Sequence, residues 1–323
     1  MRMSSKSLRT ELRHLRCFLA VAEELHFTRA AERLHMEQSP LSRAIRELEE
    51  DLGVLLFART TRSTRLTRAG EVLLENLPAI FAAVGRARDC VQAVANGFHD
   101  QLRIVLSDCS ARSRLPALLA LWREDEPAVE VRLFEVPLSK QIEGLNDGLY
   151  DVGFSLTNDV GDGIIAHPLW REPLVVALPL RHPLLAYPQI PLEELLRYPL
   201  VLCDPQACEG HARLVDRLLR CVDQEPLVVD RVSSFELMMT LVSAGLALGL
   251  TGASHALASR GAGVVARPLA GQVPLVTTYL LRRDTEPSVT LTRFIERASA
   301  VESRACSETC HDSQHNVEED VAP

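Results

Sequence analysis

No stretch of this 323-residue chain approaches the roughly 18 consecutive apolar residues that a membrane span needs. The opening residues, MRMSSKSLRTELRHLR, hold no apolar run leading to a small-residue cleavage site, so no secretory signal is expected. Eight cysteines lie scattered between Cys17 and Cys310 without a regular framework. With no export signal, most should be reduced thiols of a cytoplasmic protein. Signatures of catalysis are missing too: there is no GxGxxG after a strand, no GxSxG, no Walker loop and no HExxH, so an enzyme is not expected. Lysine is nearly absent, represented only by Lys6 and Lys140, and the basic residues are otherwise arginines.

What remains is an ordinary soluble composition, 47% apolar and 24% charged, long enough for two or three domains. The net charge of −8 argues against a polyanion partner, but its distribution does not. The first 68 residues carry 13 Arg+Lys against 9 Asp+Glu, and the rest carry 22 against 34. A basic head on an acidic body suggests that only the head meets polyanions.

The head reads as three short helices. Leu8, Leu12, Leu15, Phe18/Leu19, Ala22 and Leu25 recur every three or four residues. Thr28 is the expected N-cap of a second helix with Ala30, Ala31 and Leu34 inward. After a turn at 35–37, Pro40 opens a third helix, whose inner face should be Leu41, Ile45, Leu48 and Leu52, stopped by Gly53. This is a helix-turn-helix, and the basic stretch LLFARTTRSTRLT beside it reads as a β-hairpin wing. Then Leu73, Leu77, Ile80, Val84, Ala87, Val91 and Val94 alternate at spacings of four and three, the seam of a coiled coil. Thr67 should cap this helix, Gly97 should end it and Pro78 should kink it.

From Gln101 onward, short strands alternate with helices. LRIVLS, VEVRLFE, YDVGFSL, PLVVALP, YPLVLCD, PLVVD and LALGL are strand-like, and SKQIEGLNDG, ARLVDRLLRC and SFELMMTLVSAG are helical. The pattern implies parallel sheets with crossover helices, in two α/β lobes. Beyond about Ser303 the polar sequence reads as a disordered tail.

The segment ELRHLRCFLAVAEELHFTRAAERLHMEQSPLSRAIRELEEDLGVLLFARTTRSTRLTRAG resembles the winged helix-turn-helix of LysR-type transcriptional regulators, with FTRAAERLH, QSPLSR, LEEDLG and LFART at that family's spacings. The resemblance covers about residues 8–300. It implies an α/β fold class with an N-terminal winged helix-turn-helix (8–66), a dimerising linker helix (67–97) and a periplasmic-binding-protein-like effector domain (101–302). In that domain lobe I is expected over 101–170 and 267–302, and lobe II over 171–266, with 303–323 as tail. The implied partners are double-stranded DNA with an inverted-repeat operator, a small-molecule effector and a second copy of the chain, assembling to a homodimer and homotetramer. RNA polymerase is a further candidate partner, and no membrane is involved.

The resemblance places DNA contacts at Thr28, Arg29, Gln38, Ser39, Pro40, Ser42, Arg43, Arg46 and Arg62. Their chemistry suits the role. Gln38 can pair with adenine at two points, and Arg43 can pair with guanine or hold a phosphate. Thr28 and Arg29 would face phosphate at a helix start, and Arg62 would enter the minor groove, with Ser63 where many relatives have Gly. The dimerisation residues are the seven of the seam. Effector contacts are expected at Ser107, Asp108, Cys109 and Ser110 after the first strand, at Leu138 and Ser139 after the second, and at Cys203 and Asp204 in the second lobe. Cys109 and Leu138 stand where the family places polar contacts, and Asp108 would oppose an anionic effector. No cofactor and no metal are expected: Cys306, Cys310, His311 and His315 are soft ligand types, but not at zinc-finger spacing. An alternative makes Cys203 and Cys208 a redox sensor in place of an effector, although no Lys or Arg adjoins either thiol to lower its pKa.

Overall fold

The computed structural model describes residues 10–59, 64–107, 114–259 and 263–301. The chain divides into two compact units, residues 1–86 and 87–323.

The first unit begins with α1 (Leu12–Glu24), α2 (Phe27–Arg33) and α3 (Gln38–Leu52). Three- and four-residue spacing places Leu15, Phe18 and Val21 of α1 against Leu41, Ile45 and Leu48 of α3 in one core. Each such side chain stabilises the fold by about 1.5–3 kcal/mol through burial. Leu52, expected on the inner face, is instead exposed, because the helix ends there and Gly53 turns the chain away at φ 70°. The N-cap of α2 is His26 rather than Thr28: the His26 ring Nδ1 accepts the Arg29 N–H at 3.4 Å. Thr28 is thus the second helical residue, exposed to solvent.

The wing follows as β1 (Phe57–Arg59) and β2 (Thr64–Leu66), antiparallel, with Phe57 opposite Leu66 and Arg59 opposite Thr64. Its root is fastened twice. The buried Glu49 carboxylate accepts the N–H groups of Leu56 at 2.8 Å and Phe57 at 3.2 Å. Thr67 donates its hydroxyl proton to the Leu55 carbonyl at 2.7 Å and accepts the Gly70 N–H at 3.1 Å. Thr67 is therefore the cap of α4 (Arg68–Ala95), as expected. Gly70 is obligatory, since a Cβ there would lie 2.3 Å from the Leu56 carbonyl oxygen.

Helix α4 continues through Pro78 to Ala95. Its heptad seam divides. Leu77 is wholly buried in the core of the head, and Leu73 and Ile80 pack partly against that core. These three are spent within the chain, because the same face that carries the repeat also covers α1–α3. Val84, Ala87, Val91 and Val94 are exposed.

The second unit holds two lobes. In lobe I, β3 (Asp100–Leu106) pairs in parallel with β4 (Val129–Glu135) and β5 (Val152–Ser155), joined by α5 (Leu115–Asp125) and α6 (Leu138–Asn146). The 16-residue β6 (Ile164–Pro179) then crosses to lobe II. There, after α7 (Leu192–Leu195), β7 (Leu200–Cys203) pairs in parallel with β8 (Val228–Val232) and β9 (Leu248–Gly252). Helices α8 (Glu209–Leu219), α9 (Phe235–Ser243) and α10 (Ala253–Ala258) flank those strands. The chain returns through β10 (Val264–Pro268) and β11 (Leu275–Arg283) to a last helix over residues 289–301.

The strands form one mixed nine-stranded sheet in the order β4-β3-β5-β11-β6-β9-β7-β8, with β10 on β6. The expectation of purely parallel sheets is corrected here. Strands β6, β10 and β11 run antiparallel to their neighbours, because they carry the chain between lobes without a crossover helix. Lobe I closes its core on the last helix: Phe294 meets Trp122 edge-on at 5.3 Å, and Trp170 Nε1 donates to the Ala298 carbonyl.

Candidate DNA interface and ligand cleft

The exposed start of α3 presents Gln38, Ser39 and Pro40, then a half-buried Ser42, then exposed Arg43 and Arg46. Burial of Leu41, Ile45 and Leu48 on the opposite side fixes which residues face outward. Neither Arg43 nor Arg46 forms an ion pair with a described residue, although the helix also carries exposed Glu47, Glu50 and Asp51. Glu47 lies 3.2 Å from His14 Nε2 of α1, and Glu49 is buried under the wing. A positive, short-side-chained face at a helix start suits a DNA major groove.

The two neighbouring residues behave differently from expectation. The Arg29 guanidinium is turned back onto Glu24, donating from Nη2 to its carbonyl at 2.8 Å with Nε 3.5 Å from its carboxylate. Arg33 joins the same acids, 2.6 Å from Glu23 and 3.4 Å from Glu24. The exposed Arg29 side chain is thereby held over Glu24 on the surface of the head. Thr28 donates its hydroxyl proton to Gln38 Oε1 at 3.2 Å. Arg62 and Ser63 lie outside the described residues.

In the second unit, the parallel pairs β3/β5 and β7/β9 each place their carboxyl ends on one side, the ends at which α/β sheets collect ligands. Ser107, just past the end of β3, is almost wholly buried, and its Oγ has no hydrogen-bond partner among the described residues. Thr251 Oγ1 on β9 is likewise buried and unpartnered. Buried polar atoms are almost always satisfied, so these two are candidates for a ligand or a bound water. Asp204 is half-buried and caps its own turn by accepting the Gln206 N–H at 2.8 Å. The lobes are joined across the crevice by charge: Arg213 Nη1 of α8 lies 2.5 Å from Asp159 on the loop after β5, and Arg213 also bonds Glu209. At the crossover itself, Glu172 accepts the Ser254 N–H at 2.8 Å, and a Cβ on Gly252 would collide with that carboxylate at 2.1 Å.

Among the described residues there is no group of three His, Cys, Asp or Glu placed to hold a metal ion. No helix among them is long and apolar enough to cross a membrane.

A family model described as "Bacterial regulatory helix-turn-helix protein, lysR family" matches residues 12–71, and one described as "LysR substrate binding domain" matches residues 95–302. The chain belongs to the LysR family. It is 36% identical over 245 residues to the "Uncharacterized HTH-type transcriptional regulator YnfL" of Escherichia coli (strain K12), covering 76% of this chain and 82% of that one. It is 34% identical over 304 residues to the "Hca operon transcriptional activator HcaR" of the same organism, covering 93% and 99%. Among solved structures, the LysR family regulator CbnR matches with a TM-score of 0.66 at 28% identity, over 91% of this chain and 99% of that chain. CbnR complexed with its target DNA matches at 30% identity with the same TM-score, over 90% and 100%. As a LysR-family protein, this chain is a DNA-binding transcription regulator with an effector-binding domain, and the family is one of regulators rather than enzymes.

Within the effector domain of this LysR-family chain, two expected contact residues point the wrong way. Leu138 is buried in the lobe I cluster with Val105, Leu145 and Leu281, since the first turn of α6 lays its apolar side on the sheet. Cys203 is 1% exposed and packs with Val201 and Phe235, because alternation along β7 turns it onto the α9 side of the sheet. Cys208 is buried in the same cluster, its thiol 3.9 Å from the Ser233 carbonyl. Neither cysteine is in a disulfide, and both are buried among apolar side chains, so neither presents the exposed setting of a redox cysteine. Ser139 is exposed, and Asp108, Cys109 and Ser110 lie outside the described residues.

Sequence reasoning missed His211. This α8 residue is 1% exposed, edge-on to Phe235 at 4.7 Å, and neither ring nitrogen makes a hydrogen bond of ordinary geometry. Burial, reinforced by the nearby His255, lowers its pKa from 6.5 to about 3, against a smaller opposing effect of the Leu250 backbone. The imidazole is therefore neutral. Nothing in the sequence separates such a core histidine from a ligand.

Proposed function

We propose that this LysR-family regulator reads an inverted-repeat operator through α3 and answers to a small molecule held between its two α/β lobes. Gln38, Ser39, Pro40, Ser42, Arg43 and Arg46 are the proposed contacts in the major groove. The observation that carries this reading is the exposed start of α3, where Gln38 stands beside Arg43 and Arg46, neither of which is ion-paired among the described residues. Arg62 of the wing is the proposed minor-groove residue. Val84, Ala87, Val91 and Val94 supply the exposed apolar stripe through which a second copy pairs, so that two heads meet two half-sites. The effector reaches Ser107 and Thr251, whose buried hydroxyl oxygens lack partners among the described residues. Asp108, Cys109, Ser110, Ser139 and Asp204 complete the proposed wall. A ligand preferring one degree of lobe closure shifts the geometry of the paired subunits and so the bend in DNA.

Selection of binding sites from a random duplex library by the intact chain tests the reading. The expected product is a palindromic sequence retained against heparin at low ionic strength. A chain that shows no preference among duplexes, or stays a single subunit at micromolar concentration, overturns it.

A further inference from the structure

Thr28 has one hydroxyl proton, and in this structure that proton is given to Gln38 Oε1 at 3.2 Å. The bond joins the start of α2 to the start of α3, ten residues apart, and both side chains are exposed on the surface that carries Arg43. Two consequences follow from donor counting. A hydroxyl whose proton is committed cannot also donate to a phosphate oxygen, which only accepts. A carboxamide whose oxygen accepts that proton is held toward α2, and it turns over only if the hydroxyl redirects its proton and accepts from Nε2 instead.

The second consequence bears on base reading. The terminal torsion of a glutamine is broad and roughly two-fold, so a free Gln38 presents oxygen and nitrogen in either order at little cost. Adenine offers a donor (N6) beside an acceptor (N7) in the major groove, whereas guanine offers two acceptors (O6 and N7). Only an amide of fixed order distinguishes them well. Thr28 occupies one lone pair of Oε1 and leaves the second lone pair and the Nε2 hydrogens for a base edge.

We infer that Thr28 is a positioning residue that biases the Gln38 carboxamide toward one orientation, and so strengthens adenine-over-guanine discrimination at a single base pair of each half-site. The inference rests on the proposed major-groove role of α3. It replaces the phosphate contact that the sequence suggests for Thr28. The neighbouring Arg29 N–H, directed to His26 Nδ1, and the Arg29 side chain, held by Glu24, fit a helix start not arranged for an anion.

The test is site selection from a random duplex library, followed by affinity measurements from about 50 to 200 mM salt on the selected site and its A-to-G variants. Wild type, Thr28→Val, Thr28→Ser, Gln38→Ala and the Thr28→Val/Gln38→Ala double variant are compared. Thr28→Val should lower adenine preference at one position about three- to tenfold while leaving the salt slope unchanged. Thr28→Ser, which keeps the hydroxyl, should match wild type. Thr28→Val should add nothing in the Gln38→Ala background. Circular dichroism melting confirms that the variants fold, as expected for exposed positions. A uniform loss of affinity on all sequences, with the salt slope smaller by about one, would make Thr28 a phosphate contact and overturn the inference. An unchanged Thr28→Val preference overturns it as well. If wild type itself selects no sequence, the proposed function fails first, and this inference with it.

Discussion

Asp159, on the loop after β5, and Arg213, in the first turns of α8, form an ion pair of 2.5 Å that bridges the two lobes of the effector domain. Both side chains are well exposed, so the pair contributes about 0–1 kcal/mol to global stability. Its expected effect is on the motion of one lobe against the other. Asp159→Asn and Arg213→Gln should leave the melting temperature within about 2 °C. Amide hydrogen exchange should quicken in residues 156–163 and the first turn of α8. The charge-exchanged variant Asp159→Arg/Arg213→Asp should recover part of the protection. Unchanged exchange in all three would show that the pair does not restrain the lobes.

Glu49 is the internal staple of the head. Removing its carboxylate strands the Leu56 and Phe57 N–H groups in the core. Glu49→Ala is expected to cost about 1–3 kcal/mol, seen as a lowered urea midpoint, and to weaken operator binding because the wing root loosens. Glu49→Gln retains an acceptor oxygen and should cost less. Equal losses for the two would indicate that charge rather than acceptor geometry matters.

If the exposed part of the α4 seam is the proposed pairing stripe, substitutions along the helix should separate folding from assembly. Val91 is 71% exposed and Leu77 fully buried. Val91→Glu should leave thermal unfolding of the chain almost unchanged but weaken self-association at least tenfold in sedimentation experiments. Leu77→Ala should cost about 2–5 kcal/mol by opening a cavity in the head. If Val91→Glu still sediments as the wild-type assembly, the stripe is not the contact.

His211 makes the effector domain acid-sensitive. Its pKa in the folded chain is about 3, below the 6.5 of the free side chain. The unfolded chain therefore binds the extra proton first as pH falls. Stability is unaffected above about 6.5 and declines from there toward 3, at up to about 1.4 kcal/mol per pH unit. Urea midpoints of wild type should drop between pH 7 and 5, and those of His211→Gln should drop less. Parallel curves for the two would assign the acid sensitivity to other groups.

Much of this architecture is local and was legible in the residues. Three- and four-residue spacing in α1 and α3, Thr67 before α4, Gly53 after α3, and the alternation of short β-branched runs with helices from Gln101 onward each follow from constraints that act within a few residues. The basic head and acidic body required only counting. The start of α2 did not yield: Thr28 and His26 can each cap a helix, and neither identity alone says which side chain reaches the free N–H.

Spacing shows that a face exists, but only packing decides what covers it. Leu73, Leu77 and Ile80 share one repeat with Val84, Val91 and Val94, yet the first three are taken up by the head's own core. Leu138 and Cys203 follow strands toward the crevice, yet pleat and helix phase turn both into apolar clusters. Thr28 reaches Gln38 across a turn, and Asp159 reaches Arg213 from 54 residues away, because chain folding sets those separations and no periodic signal encodes them. The amino-acid order alone thus determined the elements, the domain order and the family, whereas the tertiary structure decided which polar groups are free to meet DNA or ligand.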